Sequence, residues 1–156
     1  HVLVGTPDLR CAEMDRECAC MAKHGAAACA QSWQAGGTIR HKKTWLIEGS
    51  AVAFPDGMLV QLFRTTIGSV LRSVSTNGGR HWSTPEPTNL PNPNSKVAAI
   101  VLSNGMLAIC YNAHSHHQFK DGIRTMLAVA VSPDRGQIWK TVARLETANR
   151  PEGTDY

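Results

Sequence analysis

The sequence predicts an all-β chain built from four-stranded antiparallel blades of a β-propeller, about two of them within 156 residues. Three observations carry this. Short runs of β-branched and apolar residues alternate with Gly, Pro and Asn turn signals. A pattern that starts at Glu48 returns 48 positions later at Lys96. An octet ending in tryptophan closes both copies, at Ser75–Trp82 and Ser132–Trp139. Units of roughly 45 to 60 residues with four strands each are propeller blades.

The first unit opens with an extended run, Thr44 to Phe54. Pro55-Asp56-Gly57 then turns the chain: Pro presets φ and Gly accepts a positive φ. Met58 to Arg64 and Ser69 to Val74 are the next two strands, and Thr76-Asn77-Gly78-Gly79 is a hairpin. Pro85 and Pro87 confine the fourth segment to a sheet edge, because proline cannot donate to a ladder. Leu90 to Ser95 is read as a non-helical connector, since its prolines restrict the residues before them.

The second unit repeats the order. Val97 to Leu102 is nearly continuous in apolar residues and is expected to be buried on both faces. Ser103-Asn104-Gly105 is the turn, Met106 to Tyr111 the second strand and Ala113 to Gly122 a polar loop. Met126 to Val131 is the third strand, Ser132 to Gly136 the hairpin and Trp139 to Leu145 the fourth. The alignment is checked by counting. Asp56-Gly57 and Arg64 follow Glu48 by eight and sixteen positions, as Asn104-Gly105 and Asn112 follow Lys96.

Residues 1–40 read differently. His1 to Val4 has the composition of a strand end, and Cys11 to Ala30 that of a poorly patterned helix. Ser32 to Ile39 is a tryptophan-led strand and turn, read as the tail of a preceding blade. Cys11, Cys18, Cys20 and Cys29 match no paired C-x-x-C zinc spacing, which leaves free thiols, disulfides and, with His24, zinc open. Cys110 lies in an apolar run and reads as a small core residue.

Composition excludes several classes. Apolar residues make up 42 % and charged residues 18 %, a globular balance. No apolar run reaches the roughly 18 residues of a membrane span. The net charge is +4, scattered except for Arg40-His41-Lys42-Lys43, which reads as a solvated loop rather than a nucleic-acid patch. The histidines His114, His116 and His117 read the same way, so no metal and no cofactor are expected. No signal peptide is visible and no Met starts the chain.

The octets are structural in their chemistry. Ser132 to Trp139 matches S-x-D-x-G-x-x-W in full, and Ser75 to Trp82 matches it with Asn77 in place of Asp. The Asp or Asn caps turn N–H groups, Gly supplies positive φ, and Trp packs between units. Together with the repeat, this pattern resembles the Asp-box propellers, and within them the sialidase-like (BNR-repeat) family. Leu90 to Ser95 (LPNPNS) and Tyr111-Asn112 resemble further signatures of that family. The resemblance covers about residues 31–156. It implies a six-bladed parent, with 1–40 ending an earlier blade around a Cys-rich insertion. Residues 41–90 form a blade with a degenerate Asp box and 91–149 one with a full Asp box, and 150–156 lead into a further blade. Two blades do not close a ring, so the chain is read as part of a longer polypeptide, with assembly of several copies as the alternative.

The resemblance also implies a site. In sialidases a glutamate at the position of Glu48 polarises a tyrosine nucleophile, and an arginine sixteen residues later is one of three that clamp the substrate carboxylate. Glu48 and Arg64 match that spacing. Asn92, Asn94, Ser95 and Asn112 are candidates for binding sugar hydroxyls. The bland readings stand beside these: an exposed strand start for Glu48, a structural ion pair for Arg64, turn caps for Asn92 and Asn94. Arg124 fits no clamp column and Arg72 points into or beside the channel. Tyr156 stands about two positions before the place of the nucleophile. The acid/base aspartate and first arginine find no match in residues 1–30.

The implied function is a retaining sialidase-like exo-glycoside hydrolase acting on sialic acid or another acidic terminal sugar. Its compartment leans to secreted or lumenal. A catalytically inactive propeller that binds glycans or scaffolds an assembly is the alternative. A related exo-glycosidase or lyase on a uronic-type sugar is a third.

Overall fold

A computed structural model describes residues 3–5, 33–115 and 124–147. Ten strands form three antiparallel sheets, and no helix occurs among the described residues. β1 (Leu3–Gly5) pairs with β2 (Trp33–Ala35) in a two-stranded ribbon. The readings of Cys11 to Ala30, His116, His117 and 150–156 lie outside the described residues.

The first blade is a meander of β3 (Ile47–Ala53), β4 (Leu59–Arg64), β5 (Ser69–Ser75) and β6 (Glu86–Pro91), in that spatial order. The second is a meander of β7 (Ala98–Val101), β8 (Leu107–Asn112), β9 (Leu127–Ser132) and β10 (Lys140–Arg144). The turns form where the sequence places them. Gly57 and Gly105 sit at φ of 84° and 80°, a region in which a Cβ is strained. The proline-bearing β6 is indeed an edge strand, although it extends through Leu90 and Pro91 into the expected connector.

The central strands carry the core. β4 is buried along its middle, and β8 and β9 alternate with a period of two. Val60, Leu62, Val70 and Leu90 of the first blade join Val97, Leu107, Ile109, Tyr111, Ala128, Ala130 and Trp139 in one cluster between the sheets. Each such side chain contributes about 1.5–3 kcal/mol on burial, so the two blades share one hydrophobic interior. β7 departs from expectation. It is not buried on both faces: exposure alternates and Ile100 is 62 % accessible. The reason is that Ala99 and Val101 pack toward the first blade, while Ala98 and Ile100 face away from it, where no further sheet lies among the described residues. β3 has the same character.

Three ties hold the blades to each other. At the inner strands, the Ala99 amide donates to Ser50 Oγ at 2.9 Å. At the outer strands, Asn89 exchanges two bonds with the Trp139 backbone, donating to its carbonyl at 2.8 Å and accepting from its amide at 3.0 Å. On the hairpin side, Arg72 Nε donates to the Arg135 carbonyl at 2.8 Å, and Arg135 reaches Asp56 at 2.6 Å while stacking over Phe54. Arg72 therefore serves the joint between blades rather than the channel. Its surroundings lower its pKa through desolvation.

Both octets fold alike. Ser132 Oγ donates to Asp134 and accepts from the Gly136 amide, and Asp134 accepts from the amides of Gln137 and Ile138. Ser75, Asn77, Gly79 and His81 reproduce this set. Each indole N–H closes on the carbonyl of the octet's Gly, Gly136 for Trp139 and Gly79 for Trp82.

Candidate functional site

In an antiparallel meander the start of the first strand and the end of the second lie at one end of the sheet. Ile47 thus pairs with Arg64, and the β6–β7 connection returns to the same rim. This rim collects most of the candidates.

Glu48 owes its position to a bulge. Ile47 pairs with Arg64 and Ser50 with Leu62, so Glu48 and Gly49 together oppose Phe63 alone. Glu48 takes φ of 45°, a left-handed conformation that favours glycine. Gly49 is needed beside it: a Cβ there would collide with the Gln61 amide and lie 2.9 Å from the Phe63 ring. The extra residue rotates the Glu48 carboxylate onto Arg64, whose Nη1 donates to it at 2.8 Å.

Arg64 is gripped from a second side. Its Nε donates to Asn94 Oδ1 at 2.9 Å. Asn94 also has a left-handed backbone, φ 61°, which asparagine tolerates. The guanidinium is thereby fixed in its plane, and neither bond uses its Nη2. The Arg64 side chain is 17 % accessible and that of Glu48 44 %. The Arg64 hydrogen bond, outweighing slight desolvation, lowers the Glu48 pKa below the usual carboxylate value, with smaller help from the charges of Arg64, Lys96 and Arg124. Glu48 is therefore anionic at neutral pH.

The remaining candidates are buried. Asn92 is inaccessible; its Oδ1 accepts from the Thr65 and Ser95 amides and its Nδ2 donates to the Ser95 carbonyl. It clips the end of β4 to the β6–β7 connector. Ser95 is 1 % accessible, and its hydroxyl has no hydrogen-bond partner among the described residues. Asn112 donates to the Thr125 carbonyl at 3.0 Å and so ties the end of β8 to the segment entering β9. The structure brings Glu48, Arg64 and Asn94 together at the surface, sets Asn92 and Ser95 in the buried connector beside them, and places Asn112 apart, at the end of β8 in the second blade.

Sequence reading missed Lys96 and Arg124 as contributors. Their charges both act on Glu48. Lys96 stands in the aligned column of Glu48, a signal that was present but carried no chemistry until the blades were placed. Arg124 follows a long loop and has no fixed offset in the repeat. Its Nε is buried without a hydrogen-bond partner among the described residues. The arrangement is an arginine held flat by an asparagine and a carboxylate, in a field of two more cations. That geometry suits a ligand carboxylate. Among the described residues no group of histidine, cysteine and carboxylate side chains has metal-site geometry.

Comparisons with known proteins agree with this architecture. The BNR repeat-like domain family matches residues 11–156. A search of curated proteins returned no match. Among solved structures, the chain is similar to the intramolecular trans-sialidase from Ruminococcus gnavus, in complex with oseltamivir carboxylate (TM-score 0.53, 17 % identity). It is similar also to the leech intramolecular trans-sialidase (0.54, 15 %) and to the NanB sialidase from Streptococcus pneumoniae (0.53, 20 %). Each alignment covers 74 % of this chain but only 26 %, 19 % and 18 % of the respective relative. The two sheets are thus propeller blades, and the chain belongs to the BNR repeat-like domain family.

Proposed function

We propose that the full-length protein is a retaining sialidase-family exo-glycoside hydrolase acting on a terminal acidic sugar. The observation that carries this is Arg64, held by Asn94 through Nε and by Glu48 through Nη1, with Nη2 used by neither bond. A guanidinium keeps its charge at every working pH and pairs with a carboxylate through two N–H groups. Lys96 and Arg124 reinforce the local positive field.

In this reading Glu48 takes the role of proton acceptor for a tyrosine nucleophile. The phenol oxygen bonds to the anomeric carbon as the glycosidic bond breaks, its proton passes to the Glu48 carboxylate, and the aglycone leaves as an alcohol with a proton from a carboxylic acid outside the described residues. Glu48 is ionised at neutral pH and so has the capacity to take up that proton as its bond to Arg64 yields. Tyr111 cannot be that nucleophile: it is 2 % accessible, and its hydroxyl bonds Thr141 Oγ1 at 2.9 Å. The reading therefore calls on a tyrosine outside the described residues.

A second reading is a glycan-binding propeller without turnover. It is favoured by the Glu48–Arg64 pair itself, which at 2.8 Å already engages the carboxylate. One experiment separates the two. The full-length protein is assayed on a fluorogenic sialoside, beside Arg64→Ala and Glu48→Gln. The enzyme reading expects cleavage, with kcat/KM reduced about 10²-fold or more by Arg64→Ala and kcat reduced about 10²- to 10⁴-fold by Glu48→Gln. Binding that needs Arg64 but shows no cleavage selects the lectin-like reading. Neither cleavage nor Arg64-dependent binding removes both.

A further inference from the structure

On the same rim lies an open recess of about 480 Å³, lined by His41, Lys42, Lys43, Thr44, Trp45 and Thr66. That volume falls within the usual range for small-ligand sites. Its floor is rigid. Buried Thr44 accepts from the Thr66 amide at 3.0 Å, shares a 2.9 Å hydroxyl contact with Thr66 Oγ1, and donates to the Trp45 carbonyl at 3.0 Å. The segment before β3 is thus pinned to the end of β4.

Trp45 stands on this floor with 81 % of its surface accessible, whereas Trp139 shows 4 %. Burying an indole is worth a few kcal/mol to a fold, and no described residue takes up that gain at Trp45. The neighbours are cationic. Lys42 and Lys43 are exposed, and His41 is fixed beside them by accepting from the Lys43 amide at 3.3 Å. An accessible aromatic face beside two ammonium groups matches one ligand chemistry well. The apolar C–H face of a pyranose lies on the π face of the indole, and an anionic substituent of that sugar meets the lysines.

We propose that His41–Trp45 and Thr66 form a second carbohydrate subsite, which takes the sugar joined to the terminal acidic residue and prefers one that carries its own sulfate or carboxylate. This rests on the reading of Arg64 as the contact for the terminal sugar. The two places are close in the chain: Trp45 precedes Glu48 by three residues and Thr66 follows Arg64 by two. A glycan that enters over the rim meets both.

The test compares three probes on the full-length protein by titration calorimetry: free sialic acid, and thio-linked analogues, which a glycoside hydrolase does not cleave, of sialyllactose and of sialyllactose sulfated on the subterminal sugar. The subsite expects the sialyllactose analogue to bind about fivefold tighter than sialic acid, the worth of one aromatic contact, and the sulfated probe tighter still. Trp45→Ala, a surface change, should erase the first gain, and Lys42→Ala with Lys43→Ala the second. Free sialic acid should bind all three variants as it binds the parent. Trp45→Phe should restore most of the stacking. Equal affinity of Trp45→Ala and parent for the sialyllactose analogue overturns the subsite. Arg64→Ala distinguishes the two proposals. If it leaves sialic acid binding intact, the terminal-sugar reading falls; if it weakens all three probes while Trp45→Ala changes none, only the subsite falls.

Discussion

Glu48 holds a backbone conformation that disfavours its own side chain. Its φ of 45° is a glycine region, and the first position of such a bulge is where glycine normally sits. Glu48→Gly should therefore be more stable than Glu48→Ala by about 1 kcal/mol, although both lose the carboxylate and its bond to Arg64. Urea unfolding of the two variants checks this, and equal midpoints would show that the bulge carries no strain. Asp134 allows a second comparison. Partial desolvation pushes its pKa up, but the Ser132 hydroxyl and the Ile138 and Gln137 amides prevail and lower it from 3.8. A carboxyl depressed in the fold stabilises above its unfolded pKa, and the gain disappears as pH falls through the folded value. The contribution is thus full at neutral pH and fades below about pH 3.8. Asp134→Asn should keep the turn, as Asn77 does in the first blade, and flatten that acid limb in a pH series of thermal melts. Asp134→Ala should cost about 0.5–1.5 kcal/mol at neutral pH, because the turn amides exchange their carboxylate for water. At this scale the sequence was informative where chemistry and spacing coincide. Glu48 and Arg64 were singled out because their sixteen-residue offset matches that of the family the repeat resembles, and the structure joins them at 2.8 Å. Asn92 and Asn112 looked like ligand groups because asparagine serves turns and sugars with the same amide, and only burial separates the two uses.

At the level of strands, the β3–β4 bulge places the carboxylate. Gly49→Ala should cost about 1–3 kcal/mol, since the new methyl meets the Gln61 amide and the Phe63 ring. If the bulge irons out to relieve the clash, β3 slips by one residue and Glu48 turns away from Arg64. Loss of Arg64-dependent ligand binding in a still-folded Gly49→Ala protein would report this; retained binding would show that Gln61 yields instead. The strands themselves were legible, because turn glycines and period-two patterns are local signals. The bulge was not, since one extra residue changes no composition and no periodicity that a short window resolves. The outer face of β7 differs from the expectation because no sheet among the described residues covers it. Its apolar run, Val97 to Leu102, is what a strand covered on both faces would show, and Ile100 is nonetheless 62 % accessible.

Across the whole molecule, the two blades were visible as a repeat, but the ties between them were not. Asn89 and Trp139 are 50 positions apart in the chain and share no motif. Asn89→Ala removes both outer bonds and leaves the Trp139 amide and carbonyl unpaired in a partly buried place. It should destabilise by about 2 kcal/mol, more than Ser50→Ala at the inner strands, which loses one bond. If the blades unfold together, both variants lower a single cooperative transition; two separated transitions would show that the sheets are independent. The positions of these ties have a geometric result. One lies near the narrow edge of the wedge formed by adjacent blades and the other near its broad edge, so together they set the angle of that wedge. Wedges of fixed angle fill a circle only in a fixed number. The size of the closed ring is therefore written into the contact between two neighbours, and changing the span at Asn89 or at Ser50 alters how many sectors fit.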